Sequence, residues 1–300
     1  MKKILITGIT GFIGKNLLET WKNDCSSELI GISSKKVKGL ASIKYYNCDL
    51  IDKTEVLKAI VDLEKPDVLV LLAWDVTPGV YWESPRNKLW ADACIRLSKI
   101  FLEAGGKLVL FAGTSASYKK NQMVYCEDFS VQDPFSLYGK EKLRASKTIQ
   151  ELSERYSARY IEARIFSIYG KYERENRLVT NVIKDIMEGR IVENSKWNLY
   201  RDYIYSEDAA RAIKFLIEND DANGTYNISS GNPTSIRYIV SYISKVLQAE
   251  GRVRFLEPDT EDDELFMVGI NEKIRSLGFR CQYDIEQGLK QSIAYIRGEK

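Results

Sequence analysis

The sequence predicts an α/β protein built on a doubly wound parallel sheet, and three observations lead to this fold class. Short apolar runs alternate with longer segments of helical spacing through the first half of the chain. The runs are apolar at nearly every position, as in strands that are buried on both faces. The first run leads directly into glycines. Such alternation is typical of parallel strands joined by right-handed helical crossovers.

Each element follows from its own pattern. The strands are predicted at Lys3–Thr7, Leu29–Ser33, Val68–Leu72, Leu108–Ala112 and Tyr160–Phe166. The helices between them are predicted where apolar residues recur at intervals of three and four, at Gly14–Trp21, Lys53–Leu63, Trp90–Ala104 and Ser136–Tyr156. Asp133 and Pro134 are predicted to begin the last helix, Asp133 as its cap and Pro134 in its first turn.

The regular rhythm loosens after about Tyr169. Charged segments interrupt it there, although Thr180–Gly189 and Ser235–Leu247 keep helical spacing. We therefore predict a main domain over residues 1–170, return segments to it near 198–235, and a smaller C-terminal lobe over residues 171–300.

Composition restricts the classes of function. The 300 residues are 44% hydrophobic and 29% charged with a net charge of +2, so no electrostatic attraction to nucleic acid is expected. No apolar run reaches transmembrane length, and glycines instead of a cleavage site follow the first strand, so we expect a cytoplasmic protein without membrane contact. The cysteines are scattered without metal spacing, which predicts no metal site and a reducing compartment: Cys25, Cys48, Cys94, Cys126 and Cys281.

Histidine is absent from the sequence. This absence excludes Ser-His-Asp hydrolases, zinc sites with histidine ligands and any histidine general base. Acid–base chemistry in this chain must therefore use Tyr, Lys, Asp, Glu or Cys.

A glycine-rich turn follows the first strand and opens a helix. Gly8 permits the tight turn, Gly11 lets the backbone approach a pyrophosphate, and Gly14 lets helix and strand pack closely. The helix N-terminus adds free N–H groups and a positive dipole end. A P-loop is excluded by the glycine spacing and by Asn16, which occupies the position of the magnesium-binding Ser or Thr. The turn could serve the backbone alone, but the strand before it and the helix after it favour dinucleotide binding.

A second pattern, Tyr138-x-x-x-Lys142, supplies a proton donor. The two residues are four apart and therefore share one face of the predicted helix. A free tyrosine has a pKa of about 10, which makes it a poor acid–base group at neutral pH. A nearby ammonium favours the phenolate and lowers that pKa. Such pairs are common on protein surfaces, but this one follows the glycine-rich turn and the hydroxyl-bearing strand end at Thr114 and Ser115.

These patterns together closely resemble the extended short-chain dehydrogenase/reductase family, whose members mostly act on nucleotide-activated sugars. The resemblance covers nearly the whole chain, through the segments 111–118, 164–170, 201–208 and 224–228 in that order. It implies a Rossmann domain that binds NAD(P) and a C-terminal lobe that mainly binds a nucleotide-sugar substrate. It also implies a homodimer formed by the Trp90–Ala104 helix and the helix that carries Tyr138.

The resemblance implies roles for individual residues. Tyr138 would be the proton donor, Lys142 would also hold the nicotinamide ribose, and Thr114 would bind the reacting oxygen, with Ser115 as the alternative. The residues expected to contact the cofactor are Gly8, Thr10, Gly11, Phe12, Ile13, Gly14, Ser33, Ser34, Lys35, Asp49, Leu50, Ala73, Tyr138, Lys142 and Phe166. The residues expected to contact the substrate are Ser115, Ser167, Leu178, Val179 and Arg201, whose guanidinium suits a diphosphate.

The end of the second strand bears on the choice of dinucleotide. NAD enzymes normally place a carboxylate roughly 20 residues beyond the glycines, where it binds the ribose hydroxyls. This chain instead has Ser33, Ser34, Lys35 and Lys36. Hydroxyls and cations suit a 2′-phosphate, which favours NADP(H), while NAD(H) stays possible. The alternative to phosphate binding is that these four residues form a solvated basic turn without a ligand.

Departures from the family motifs reduce the number of candidate reactions. Sugar 4,6-dehydratases have Asp-Glu directly after the catalytic Thr, where this chain has Ser115 and Ala116. Epimerase-reductases of the GDP-fucose type use a Cys and a His, and this chain has Ala116 at the Cys position and no histidine. Two activities remain, an NADPH-dependent 4-ketoreductase and a 4-epimerase that retains NAD.

The missing ribose-binding carboxylate favours the reductase. We therefore predict NADPH-dependent reduction of a nucleotide-linked 4-keto-6-deoxyhexose, in the synthesis of sugars for bacterial surface polysaccharides such as O-antigens. A non-catalytic NADP-binding regulator on the same fold is the remote alternative, since such proteins usually lose the Tyr/Lys pair that this chain keeps.

Overall fold

The structure is a computed structural model that describes residues 1–22, 24, 26–35, 43–258 and 264–299. Cys25 and Lys36 lie outside the described residues. The chain divides into two compact units. The first unit comprises Met1–Tyr118, Gln132–Arg164 and Ala210–Tyr226, and the second comprises Lys119–Val131, Ile165–Ala209 and Asn227–Lys300. The predicted division of functions between residues 1–170 and 171–300 stays a prediction.

The strands and helices are numbered along the chain. The strands are β1 (Lys2–Thr7), β2 (Ser27–Ser33), β3 (Lys44–Asn47), β4 (Val68–Leu71), β5 (Leu108–Thr114), β6 (Met123–Tyr125), β7 (Arg159–Ile165), β8 (Ser167–Tyr169), β9 (Val192–Asn194), β10 (Tyr200–Tyr205), β11 (Gly224–Ile228), β12 (Pro233–Ser235), β13 (Val253–Phe255) and β14 (Phe266–Gly269). The helices are α1 (Phe12–Thr20), α2 (Thr54–Glu64), α3 (Arg86–Glu103), α4 (Leu137–Arg155), α5 (Leu178–Met187), α6 (Ser206–Glu218), α7 (Ile236–Val246), α8 (Glu272–Ser276) and α9 (Ile285–Arg297).

A seven-stranded sheet forms the centre of the first unit, in the order β3-β2-β1-β4-β5-β7-β11. Strand β1 is parallel to both β2 and β4, β2 is parallel to β3, and β4 is parallel to β5. The chain builds outward from β1 to β3 and then returns to β4 on the other side of β1. The strand order reverses between β1 and β4, and sheets of this kind bind their ligands beyond the carboxyl ends of the strands at such a point.

The apolar runs are strands because both of their faces are buried. Leu5 packs in a cluster with apolar side chains of α2, α3 and α4, whereas Ile4 and Ile6 are buried on the opposite face. The helices α1 and α6 meet each other, where the Lys214 ammonium donates to the Thr20 carbonyl at 3.2 Å. The predicted doubly wound parallel α/β fold is confirmed.

The second unit has its own sheets and its own apolar core. A five-stranded sheet has the order β12-β10-β14-β6, with β8 also paired to β10, and β13 pairs with β9 in a two-stranded sheet. The core joins apolar side chains of α5, α7 and α9, including Ile183, Ile239 and Leu289. The predicted helices at Thr180–Gly189 and Ser235–Leu247 correspond to α5 and α7.

Helix α4 starts within one residue of its predicted start at Ser136, but the prediction of Asp133 as its cap and Pro134 in its first turn was wrong. The helix begins at Leu137, and its N-cap is Ser136, whose hydroxyl accepts a hydrogen bond from the Gly139 N–H at 3.1 Å. Ser136 competes successfully with Asp133 because its backbone is extended directly before the first helical residue. None of the described helices combines the length and the apolar character needed to cross a membrane.

Candidate functional site

The glycine-rich turn lies at the point where the strand order reverses. Gly8 has φ of +70°, and a Cβ there would stand 2.7 Å from the Ala73 backbone nitrogen. A Cβ on Gly14 would stand 2.4 Å from the Gly8 carbonyl oxygen. The buried Thr7 hydroxyl accepts from the Ala73 N–H at 3.3 Å and so joins the ends of β1 and β4. Only glycines allow the backbone to fold this tightly here.

The turn ends at the N-terminus of α1. Gly11 is the N-cap residue, and no side chain of the described residues caps this helix end. The first-turn residues Phe12, Ile13 and Gly14 therefore direct their N–H groups toward an uncapped, positive helix terminus. Backbone N–H groups at an uncapped helix end suit the pyrophosphate of a dinucleotide.

Hydroxyl groups line the end of β2. The Thr10 and Ser33 hydroxyls are 2.8 Å apart, and the Lys35 N–H donates to the Ser33 hydroxyl at 3.2 Å. Ser34 and Lys35 are exposed. The residues Ser33, Ser34 and Lys35 thus present hydroxyls, an N–H and a cation, and none of them is a carboxylate.

Asp49 and Leu50 follow β3. The Asp49 carboxylate accepts from the Ile51 N–H at 2.8 Å, and the Leu50 carbonyl accepts from the Arg96 guanidinium at 3.0 Å. Because β3 pairs with β2, with Asn47 opposite Ser33, the segment that follows β3 lies near the end of β2. The predicted contact of Asp49 and Leu50 with an adenine stays a prediction.

Thr114 is the last residue of β5 and is buried. It caps the 3₁₀ turn Ser115–Ser117, where its hydroxyl accepts from the Ala116 N–H at 3.2 Å. Because this bond uses a lone pair, the hydroxyl proton of Thr114 can be donated elsewhere. Ser115, the alternative, is half-buried on the 3₁₀ turn itself.

Helix α4 brings Tyr138 and Lys142 to the same region as Thr114. A Cβ on Gly139 would stand 2.3 Å from the Ala116 carbonyl oxygen, so the motif Tyr-Gly-Lys lets the helix pack directly on the 3₁₀ turn. Tyr138 and Lys142 are both buried. The Lys142 Nζ lies 6.0 Å from the centre of the Tyr138 ring and donates to the Ala112 carbonyl at 2.9 Å.

The Lys142 ammonium is electrostatically unusual. Burial lowers its pKa to about 8, while the Cys94 thiol and the Glu162 carboxylate act in the opposite direction. At neutral pH the group is still mostly protonated. It can therefore supply positive charge one helical turn from the Tyr138 phenol.

The aromatic groups around Tyr138 were not predicted from the sequence. The Tyr81, Trp82 and Trp74 rings meet the Tyr138 ring at steep angles, with centroid distances of 4.9, 5.8 and 6.3 Å. The Trp82 carbonyl also accepts the Tyr138 N–H at 2.9 Å. The aromatic pair Tyr81-Trp82 in the loop after β4 was the available signal, but its spacing follows no regular period.

A buried ion pair on β7, the strand next to β5, was also not predicted. Glu162 and Arg164 are both about 1% exposed and bond at 2.7 Å. A Cβ on Gly113 would stand 2.3 Å from the Glu162 carboxylate, so Gly113 leaves room for this group directly before Thr114. The signal was a charged pair at alternate positions of an apolar strand, where both side chains share one face.

The remaining predicted residues lie in the second unit. Ser167 starts β8 and pairs with Tyr203 of β10, the strand that also carries Arg201. The Arg201 guanidinium donates to the Tyr200 carbonyl at 2.8 Å. Leu178 and Val179 form the first turn of α5, and the Val179 side chain is buried in the core. Phe166 is buried against Gly269. Their substrate and cofactor contacts stay predictions.

Comparisons with known proteins place this chain among nucleotide-sugar enzymes. Residues 4–229 match the sequence model of the NAD dependent epimerase/dehydratase family. A dTDP-4-dehydro-6-deoxyglucose reductase of Escherichia coli is 24% identical, with 98% of this chain and 97% of the reductase covered. A UDP-glucuronate 4-epimerase of Thermodesulfobacterium geofontis is 22% identical, with 98% and 95% covered. The Thermus thermophilus UDP-glucose 4-epimerase complex with NAD superposes with a TM-score of 0.86 at 19% identity, over 99% of both chains.

Proposed function

This chain belongs to the NAD dependent epimerase/dehydratase family, as its motifs predicted, and from that premise we propose that it reduces the 4-keto group of a nucleotide-activated 6-deoxyhexose with NADPH. The observation that carries the proposal is the set of Thr114, Tyr138 and Lys142, held on β5 and α4 with no acid–base pair after Thr114. A ketoreduction needs one proton donor and one oxygen-binding group. An elimination would need a further acid and base.

Each of the three side chains has a separate task in this proposal. The Tyr138 phenol donates its proton to the developing alkoxide oxygen, and the Thr114 hydroxyl donates a hydrogen bond to the same oxygen. The Lys142 ammonium stabilises the phenolate that remains. NADPH, when bound, supplies the hydride that reduces the ketone carbon.

The end of β2 supports NADPH as the coenzyme. Exposed Ser34 and Lys35, together with the Ser33 and Thr10 hydroxyls, offer donors and a positive charge to a 2′-phosphate. A carboxylate at this position would instead repel the phosphate.

The aromatic surroundings of Tyr138 support a 6-deoxy sugar. Trp82 is about 40% exposed and stacks on Tyr81 at 4.7 Å, so one apolar ring stays accessible next to the proton donor. An apolar ring favours a C6 methyl group over a C6 hydroxyl, because the hydroxyl would lose hydrogen bonds to water without replacement.

A 4-epimerase is the second candidate, because a curated 4-epimerase aligns with this chain along nearly all of its length. It would use the same three side chains and would retain NAD through the cycle. The predicted homodimer through α3 and α4 and the predicted cytoplasmic location stay predictions under either candidate.

The test combines turnover with an analysis of bound nucleotides. Purified protein is mixed with NADPH and a dTDP-4-keto-6-deoxyhexose, and NADPH absorbance is followed; Tyr138→Phe serves as the matched variant. We expect stoichiometric NADPH oxidation that falls by at least about 100-fold in the variant, with NADPH binding retained.

Two results would contradict the reductase. Copurified NAD together with cofactor-neutral interconversion of UDP-hexoses would establish the epimerase. NADPH binding without any turnover, in wild type and variant alike, would favour the non-catalytic regulator.

A further inference from the structure

We propose that Trp74 is a positioning residue for Lys142, with an indole face that holds the ammonium beside Tyr138 and stabilises its charge. The Lys142 Nζ lies 4.0 Å from the centre of the Trp74 ring. This distance is well inside the range over which a ring face attracts a cation, and tryptophan is the strongest such partner. The contact itself is independent of the reaction; its catalytic meaning rests on the proposed function.

The ammonium needs such a partner because no carboxylate of the described residues forms an ion pair with it. The charged or titratable side chains around it are Cys94 on α3, Glu162 on β7 and Tyr138 on its own helix. Glu162 is engaged by the Arg164 guanidinium through two contacts, at 2.7 and 3.3 Å. Burial raises the pKa of the Cys94 thiol to about 11, so this group is neutral at pH 7.

Two further groups complete the surroundings of the ammonium. The Ala112 carbonyl accepts one of its protons at 2.9 Å, and the Phe111 ring centre lies 4.9 Å away. One carbonyl is a small replacement for the hydration that a buried ammonium loses, since Lys142 is only 4% exposed. The nearer and larger indole ring therefore contributes much of the remaining stabilisation.

The indole ring is itself held in one orientation. Its N–H donates to the Asn87 side-chain oxygen at 2.8 Å, and the Asn87 amide donates to the Tyr81 carbonyl at 2.7 Å. The ring also meets Phe111 and Tyr138 edge to face, with both centroid distances at 6.3 Å. Because Trp74 and Asn87 are both buried, the ring face stays aligned under the ammonium.

The experiment measures the protonation of Lys142 directly. Protein labelled with ¹³C-lysine is titrated by NMR, and the Lys142 signal is assigned by its loss in Lys142→Met. Trp74→Leu removes the ring, and Trp74→Phe leaves a weaker one. Trp21→Phe changes an indole that lies 5.4 Å from the Lys214 ammonium and serves as the control.

We expect the Lys142 pKa to be highest in wild type, lower in Trp74→Phe and lowest in Trp74→Leu. The leucine variant should titrate about one pH unit lower than wild type, a tenfold change in the protonation equilibrium. Trp21→Phe should leave the Lys142 titration unchanged. If Trp74→Leu does not fold, Trp74→Phe decides the question, with a decrease of about half a unit expected.

An unchanged Lys142 titration in the folded Trp74 variants would overturn the proposal, whatever the enzyme does. With substrate and NADPH, the alkaline limb of the turnover profile should move to lower pH together with the NMR titration. A shifted NMR titration in a protein without turnover would keep the contact and refute the proposed function, so the two failures are distinguishable.

Discussion

Lys142 and Lys214, both in the first unit, lie over tryptophan rings, and their surroundings differ. Lys142 is buried, and its ammonium contacts the Trp74 ring and one carbonyl. The Lys214 side chain is 18% exposed, and its ammonium lies 5.4 Å from the Trp21 ring and 2.5 Å from the Asp24 carboxylate. Among the described residues, the partners of the Lys142 ammonium are aromatic rings and a carbonyl, whereas the Lys214 ammonium forms an ion pair with Asp24.

The different surroundings suit the two lysines to different roles, and the structural role of Lys214 is visible in its contacts. Lys214 connects α6 to the end of α1 by bonding Asp24 and the Thr20 carbonyl. Because its charge is already paired, it has little effect on any other group. The charge of Lys142 is not cancelled by a carboxylate, so it can act on a phenol one helical turn away.

The largest expected effect is on turnover. Lys142→Met should lower kcat/KM for the 4-keto sugar by about 1,000-fold, because it removes the charge that stabilises the phenolate. Lys214→Met should stay within about twofold of wild type, since the charge of Lys214 is already paired with that of Asp24. Steady-state NADPH oxidation by both folded variants measures this. Equal losses in the two variants would end the distinction between the lysines.

The next effect concerns Glu162, the carboxylate whose charge acts on Lys142. Glu162→Gln should lower the free energy of unfolding by about 3–5 kcal/mol, because Arg164 would be left buried without an anion. Glu193→Gln, which breaks an exposed pair with Arg254, should cost at most about 1 kcal/mol. Urea unfolding of both variants tests this. A small loss in Glu162→Gln would mean that Glu162 is not committed to Arg164 and is free to neutralise Lys142.

A smaller effect depends on pH. The hydrogen bond from Lys214, followed by those from Ser26, holds the pKa of the Asp24 carboxyl well below its usual range. A lowered pKa in the folded state stabilises the fold above the unfolded pKa, and this contribution disappears as the pH falls. Asp24→Asn should therefore be less stable than wild type at pH 7, and the gap should narrow below about pH 4.

Unfolding midpoints of wild type and Asp24→Asn across this pH range provide the measurement. Asp62→Asn, which changes an exposed aspartate on α2, is the matched control and should track wild type at every pH. A gap that widens in acid would contradict the assigned role of Asp24.

The smallest effect is that of salt. The Lys214–Asp24 pair is partly exposed, so 1 M NaCl should reduce the stability gap between wild type and Asp24→Asn. The NMR titration of the buried Lys142 should move little under the same change, because ions cannot approach it closely. An equal response of the two lysines to salt would mean that Lys142 is more accessible than its burial indicates.

Much of the first unit was predictable from local patterns. The strands β1, β2, β4, β5 and β7 and the helices α1 to α4 were all predicted, because continuous apolar runs and helical spacing report burial directly. Strand β3 was missed since its tyrosines and polar residues form no apolar run. Helices α6 and α9 were missed after the point where charged segments obscured the rhythm.

The candidate site divides in the same way. The roles of four residues could be predicted from the sequence, because backbone geometry and helical spacing are properties of neighbouring residues: Gly8, Gly14, Tyr138 and Lys142. Trp74, Asn87 and Glu162 were not, since their distances to Lys142 in the chain range from 20 to 68 residues. No local pattern reports which side chains meet across such separations.

The sequence by itself determined the fold class, the family, and the positions of the glycine-rich turn and of the tyrosine–lysine pair. The turn and the pair depend on residues that are adjacent or one helical turn apart, and the fold class and the family depend on such local patterns recurring in order along the chain. The tertiary structure alone decided the surroundings of the lysine: an indole face, a carbonyl, and a carboxylate already bound to arginine. The balance of charge and burial at an ammonium depends on atoms within a few ångströms, and folding brings these together from α4, β5, β7 and the loop after β4.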